Sequence, residues 1–468
     1  MAYSSITKPE DHFNTKLTTG TGSSQGVTGV GFQPDWIWGK RRDSSGNNSL
    51  FDSVRGITKG LESNSNGAQF TSTDYYSSFD SDGFTIASGS SGAGNGSSQT
   101  AAQWCWLAGG TAPSQTYTVK VVSDSGNKYR FDDFGTSAVT LDLQEGGTYT
   151  FDQSDSSNSG HPLRFSTTSD GSHGGGSEYT TGVTTTGTPG SSGAQTVITV
   201  AASAPTLYYY CSSHSGMGGQ ANTNSTFGSS NFGGTLQSKV SANTTSGFSI
   251  VSYTGNATNS TVGHGLGVTP QVLIVKNLDS TSSAAEHWRV QHNKVAASKV
   301  LYLNRTNAED TNGDFQSTYP SSTSFSISSA DGCNKNGEGH IAYCFAEKKG
   351  FSKFGSYVGN GVASGGGPFI YLGFKPAFFM LKESTNADNW IILDNRRLGY
   401  NKLIYHLFPN LNDAEYASDR VELRSNGVKV IDNDGSVNTN GATYIYMAFA
   451  ENPFVANDSG TAIPTTGF

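Results

Sequence analysis

The sequence predicts an all-β protein made of tandem β-sandwich modules, of jelly-roll or lectin-like type, on two observations: a composition suited to turns and an apolar phrase that returns at fixed spacing. Gly alone supplies 59 of 468 residues. With Ser, Thr and Asn filling much of the remainder, short strands joined by many turns are favoured over long helices. Charged residues make up 14%, well under the roughly 25% of an average soluble protein, yet 26 Phe, 21 Tyr and 6 Trp argue against disorder. A chain of this length is too long for one core, so two to four domains are expected.

The phrase occurs three times. Gly31-Phe32-Gln33-Pro34 precedes Trp36-Ile37-Trp38 and Lys40, Gly267-Val268-Thr269-Pro270 precedes Val272 to Lys276, and Gly373-Phe374-Lys375-Pro376 precedes Phe378 to Lys382. Pro cannot donate inside a ladder, so Pro ahead of an apolar run marks the start of a strand. A second phrase, at Trp104-Cys105-Trp106, Tyr343-Cys344-Phe345 and Met447-Ala448-Phe449, ends 72, 75 and 73 residues after the three prolines. Alternating strands at Gly83 to Ile86, Ser324 to Ile327 and Gly427 to Val430 fall between these anchors. Asn-Gly pairs at Asn95, Asn336 and Asn440 precede the final strand, as hairpin turns would. An aromatic or aliphatic opening strand is expected near Gly20, Gly255 and Gly359 in each copy. One module therefore repeats three times. Cys105 and Cys344 share one module position, where the third copy has Ala448, which marks a small buried apolar site rather than a reactive one.

Pro34 and Pro270 are 236 residues apart and Pro270 and Pro376 only 106, so the first copy carries about 130 extra residues. The expected organisation is an N-terminal docking arm (1–16), a first module (17–112), an insertion (113–224), a linker or arm (225–245), a second module (246–350), a third module (351–454) and a C-terminal tail (455–468). Five strand signals inside the insertion, from Tyr117 to Cys211, make it a sandwich of its own.

The last of these strands ends in Cys211-Ser212-Ser213-His214-Ser215-Gly216-Met217, and His161-Pro162-Leu163-Arg164-Phe165 lies about fifty residues earlier. Two imidazoles and a thiolate, with a weak thioether on the axis, form the donor set of an electron-transfer copper site. In donor order and in the short Cys-x-x-His-x-x-Met spacing the insertion resembles the cupredoxin family, its amicyanin branch in particular. The resemblance implies a Greek-key sandwich with His161, Cys211, His214 and Met217 as copper ligands. It implies structure or electron transfer rather than turnover.

No catalytic constellation is legible. The acid pairs Asp80/Asp82, Glu309/Asp310 and Asp432/Asp434 sit beside Gly and Asn and read as turn formers. His287 and His292 flank Trp288 in a segment, 284–295, expected as a short helix, where a five-residue separation suits one metal poorly. Asp52 with Arg55 and Asp394 with Arg397 stand equally far beyond Lys40 and Lys382; a structural ion pair holding one loop is expected, with a subunit contact as the functional alternative.

The module's Gly-Phe-x-Pro-Asp start, its Leu50-Phe51-Asp52-Ser53-Val54-Arg55-Gly56 phrase and its Ser81-Asp82-Gly83-Phe84 phrase resemble modules of virion structural proteins of marine phages, those of cyanobacteria especially. The resemblance implies a particle protein assembled in the host cytoplasm. The leading expectation is a tail fibre or tail-associated component contributing to host attachment; a capsid decoration or knob protein is the close rival, and a mononuclear copper electron-transfer protein the alternative from another class. A polysaccharide-degrading enzyme would need paired carboxylates that the sequence does not reveal. The implied partners are other virion proteins, further copies of the chain (a trimer favoured) and a host surface glycan or protein receptor. A net charge of −8 with no basic patch offers no groove for nucleic acid, and no apolar run approaches the roughly 20 residues of a membrane span. No secretory signal is readable at the N-terminus.

Overall fold

In the computed structural model of the protein, which describes residues 4, 6–89, 92–279, 286–397 and 402–453, nearly every element is a strand and the fold is all-β. No helix among the described residues is long and apolar enough to cross a membrane. The C-terminal tail 455–468 lies outside the described residues.

The Pro-led runs form central strands at Trp36–Arg41, Val272–Asn277 and Phe374–Glu383; in the third the strand begins two residues before Pro376, and a bulge accommodates the proline inside the ladder. Each pairs on one side with the strand of the second phrase, Thr100–Trp106, Gly339–Phe345 or Thr443–Pro453, and on the other with a short strand, Asn48–Asp52, Arg289–His292 or Ile391–Asp394. Opening strands Phe13–Thr19, Phe248–Thr254 and Ser352–Val358 complete the same order in three sheets. A smaller sheet covers the outside of each: three strands around Gly83–Ile86, two around Ser324–Ile327 and four around Gly427–Val430.

Both faces of the central strands are buried, which explains why their sequences are continuous apolar runs rather than alternating ones. Trp36 and Trp38, Val272 and Ile274, and Phe378 and Met380 point to one shared core, whereas Ile37, Leu273 and Phe379 face the separate outer core of their own lobe. The shared core draws on all three lobes and on nothing from the insertion. Trp36 stands at its middle, with ring centroids 4.6 Å from Trp106, 4.3 Å from Tyr343 and 5.7 Å from Phe248.

The lobes close into a ring through contacts that run in one rotational sense. Tyr343 of the second lobe donates its hydroxyl to Asp52 of the first (2.8 Å), His292 of the second meets the Tyr446 carbonyl of the third (3.2 Å), and Trp104 of the first donates to Asp394 of the third (2.9 Å). Register places Asp52, His292 and Asp394 at one position of the repeat, opposite Trp36, Val272 and Phe378. Four residues earlier along the chain, the Trp288 indole donates to Glu62 O (3.0 Å), the Trp390 indole to Tyr302 O (2.9 Å), and the Asn48 amide to Phe408 O and Leu411 O (3.0 and 2.9 Å). Each lobe thus reaches into the next and the third returns to the first. Asp52–Arg55 (2.5 Å) and Asp394–Arg397 (2.6 Å) are buried ion pairs inside these junctions, where an unpaired charge would be costly.

Buried Asn95, Asn334 and Asn438 each accept from the backbone after the opening strand, at Thr21, Asn256 and Asn360, and donate to two carbonyls. A Cβ on Gly20, Gly255 or Gly359 would lie 2.2 to 2.3 Å from the carbonyl of the residue after that Asn, so only Gly fits. The Asn-Gly spacing is a correction to the hairpin expectation: Asn334 and Asn438, not Asn336 and Asn440, correspond to Asn95.

Three further expectations are corrected. Residues 13–16 belong to the first strand and Ile6 is buried in the shared core, so the described part of 1–16 is no free arm. Residues 225–245 are no linker either: Ser229–Asn231 and Ser238–Asn243 pair into the second lobe's sheet, and Phe232 packs into the insertion's core against Tyr117 and Phe131. Low-complexity Ser and Asn there supply hydrogen bonds to buried tyrosines, Tyr149 to Ser229 Oγ (2.5 Å) and Tyr117 to Ser230 O (2.8 Å). The segment expected as a helix around Trp288 contains the strand Arg289–His292, because tertiary pairing overrides local periodicity.

Strands from Ser114 to Asn224 pair only with one another, in a five-stranded and a four-stranded sheet around their own core. Asp35 pins this departure point: its buried carboxylate accepts from Ser53 Oγ (2.8 Å), Ala108 N (2.7 Å) and Gly110 N (3.1 Å). Burial outweighs these donors and raises its pKa from 3.8 to about 6. Between those values the folded protein holds a proton that the unfolded chain has released, so this group's contribution falls as pH rises through the window and its penalty is complete above it. Asp35→Asn is therefore expected to stabilise the protein by about 1–3 kcal/mol at pH 7 and to leave it nearly unchanged near pH 4. Urea unfolding at both pH values checks this; a variant effect that does not depend on pH refutes it.

Candidate metal centre

The insertion gathers three of its four expected ligands by strand pairing. Leu163–Ser166 runs antiparallel to Leu207–Cys211 with Leu163 opposite Cys211, and Ser212 N donates to Pro162 O (3.0 Å). That backbone bond sets His161, one residue further out, beside the end of the neighbouring strand. The His161 carbonyl accepts from Tyr129 Oη (2.9 Å) and Gln153 Nε2 (2.8 Å), which fixes the loop that carries the ring. On the other side, the Cys211 carbonyl meets His173 Nε2 (3.1 Å), Gly216 N donates to Asp170 Oδ1 (2.8 Å), and Tyr129 N donates to the Met217 carbonyl (3.0 Å). The loop closes at Gly218, where a Cβ would sit 1.7 Å from Tyr209 O, so no other residue fits that return.

Cys211 Sγ lies 3.9 Å from His161 Nδ1 and 3.7 Å from His214 Nδ1, and the donor atoms of all three lie within 4.8 Å of one another. With metal–sulfur and metal–nitrogen bonds of about 2.3 and 2.0 Å, sulfur and nitrogen stand about 3.5 Å apart in a tetrahedral site and about 3.7 Å in a trigonal one, so the spacing is within about 0.2 Å of what a shared trigonal ion needs. Cys211 is buried, His161 half-buried and His214 exposed, leaving the cluster open on the His214 side. Burial, reinforced by His214, lowers the pKa of His161, so its ring is neutral at pH 7 with a lone pair available. Met217 lines the shallow depression beside His214 but also belongs to the insertion's core, so packing alone accounts for its burial.

The sequence did not single out Tyr129, Gln153 and His173, which hold the two loops; nothing in their spacing marks them. Elsewhere the acid pairs have local partners. Asp82 accepts from Gly29 N and Gly31 N, Asp434 caps a helical turn at Ser436, and Glu309 pairs with Lys299. Cys105 and Cys344 are buried opposite Ile37 and Leu273, as Ala448 is opposite Phe379, and burial pushes the Cys344 thiol up to about 12. All four cysteines are free.

Fold and site together define a β-sandwich protein bearing a clustered His–Cys–His donor set on an inserted domain. The family described as "Domain of unknown function (DUF7483)" matches residues 8–130 and 220–453, and the chain belongs to it. The match omits most of the insertion, although it runs on through the strand Ser114–Ser123, which pairs within the inserted sandwich. Among curated proteins and among solved structures, nothing matches the chain.

Proposed function

We propose that this protein is a structural component of a bacteriophage particle, a tail fibre or tail-associated protein exposed on the virion and contributing to host attachment. The observation that carries this reading is the ring: three lobes of like strand order close around one core within a single chain. Such a unit is a stiff scaffold that presents polar outer surfaces, suited to recognition through hydroxyl, amide and aromatic groups. Other virion proteins, further copies of the chain and a host glycan or protein receptor are its proposed partners. Because the lobes bury their inner faces on one another, copies would meet through outer surfaces. Imaging of purified particles with the protein labelled tests this. Label along the tail supports it, label on capsomers alone replaces it with a capsid decoration role, and particles without label overturn both.

A second reading rests on the donor cluster: the insertion binds one copper ion through His161, Cys211 and His214, with Met217 beside them. Bound copper would supply one-electron chemistry. The chain's own part is to hold a buried thiol and two imidazoles at fixed separation, with His161 kept neutral and its loop anchored by Tyr129 and Gln153.

A further inference from the structure

The three junctions of the ring differ at the residue after the repeat's proline. In the first, Asp35 fills the space and accepts from Ala108 N. In the second, Gln271 does so and its Oε1 accepts from Glu347 N (2.5 Å). In the third, where the ring closes on the opening strand of the first lobe, the residue is Ala377, and its methyl reaches no such partner. A cavity of about 260 Å³ opens there between Phe13 and Thr15 of the first lobe and Ala377, Asn395, Arg396 and Glu451 of the third. Thr15 is 4% exposed, yet its Oγ1 has no hydrogen-bond partner, and neither has Asn395 Oδ1. Among the described residues the exposed Arg396 guanidinium has no acidic partner, whereas Glu451 is held by Lys375 at 2.8 Å. Leu107, Ala346 and Ala450 donate alike to His12 O, Gly247 O and Phe351 O, so Glu451, one residue on, holds the place of Ala108 and Glu347, whose N–H groups Asp35 and Gln271 cap, although the third ladder is bulged beside it.

We propose that this cavity binds one sugar residue bearing a carboxylate or an N-acyl group, whose oxygen takes the place that the Asp35 and Gln271 side-chain oxygens fill at the other junctions. The cavity lies just below the roughly 300 Å³ at which drug-sized pockets begin, which limits the occupant to one small ring. Thr15 and Asn395 offer unspent hydrogen-bonding capacity to its hydroxyls, and a buried polar group left unpartnered gains from a ligand that satisfies it. Arg396 suits a carboxylate. The proposal deepens the host-attachment reading and rests on it for its biological meaning, but its test stands apart from the particle.

The test is ligand-observed saturation-transfer NMR on the full chain and on a chain ending at Pro453, with glucuronate, N-acetylglucosamine and methyl glucoside at about 10 mM each, enough to populate a millimolar site. Glucuronate or N-acetylglucosamine should give signal and methyl glucoside little. Signal from the first alone assigns the site to acidic sugars and from the second alone to N-acyl sugars. Ala377→Gln, which copies the second junction, should weaken binding at least about tenfold while leaving the protein folded. Arg396→Ala should weaken glucuronate selectively. No signal with either chain, equal signal with all three sugars, or binding untouched by Ala377→Gln would overturn the proposal and identify a water-filled seam. Such a result leaves the virion reading standing, since particle imaging decides that separately.

Discussion

Trp36→Ala is expected to lower the free energy of unfolding by about 3–5 kcal/mol, the range for removing a large aromatic side chain from a packed core. Trp36 is 1% exposed and its ring meets Trp106, Tyr343 and Phe248 from two lobes, so truncation leaves a void that no single lobe can close by relaxing alone. Its indole Nε1 has no hydrogen-bond partner, so the loss is one of packing. Hydrogen exchange should show the central strands of all three lobes losing protection together, while the insertion, with a core of its own, keeps its protection. A cost under about 1 kcal/mol, or loss confined to the first lobe, would show that the lobes are energetically separate.

Addition of Cu(II) to the purified protein is expected to produce an intense visible band at about 600 nm, the signature of thiolate-to-copper charge transfer in a trigonal site. Cys211→Ala should abolish the band, because the thiolate is the group that generates it. His214→Ala should weaken copper retention, since it removes one of the two imidazoles within 4 Å of the sulfur. Met217→Leu should spare most of the binding, because an axial thioether is a weak ligand and Leu preserves the packing. A protein that stays colourless with copper removes the electron-transfer reading and leaves His161, Cys211 and His214 as packing and surface groups.

Much of this was legible because it is periodic. Pro34 and Pro270 stand just ahead of central strands, with Trp106 and Phe345 ending the strands paired to them, whereas in the third copy Pro376 sits at a bulge inside its strand and the paired strand runs past Phe449 to Pro453. His161, Cys211 and His214 could be grouped because strand pairing turns a fixed sequence interval into proximity. Segments whose fate depends on remote partners were not legible. Residues 225–245 read as a linker because Ser and Asn carry no periodic signal, and their place in the fold comes from remote partners: the strand Phe248–Thr254, the core around Phe232 and the buried hydroxyls of Tyr117 and Tyr149. The strand at Arg289–His292 went unread for the same reason, its pairing with Val272–Asn277 being long-range.

The order of residues by itself determined the all-β class, the repeated strand signals, the presence of an extra domain and the donor set on it, because each is written in local pattern and spacing; the structure places that domain between the first and second copies rather than inside the first, whose strands Phe13 to Trp106 are complete before it. Tertiary structure alone decided that the three lobes share one core, that Tyr343, His292 and Trp104 link them in a ring, and that the ring closes at Ala377 over a cavity. Those outcomes depend on which apolar face meets which, and a strand buried on both faces carries no mark in its sequence to say which side is shared.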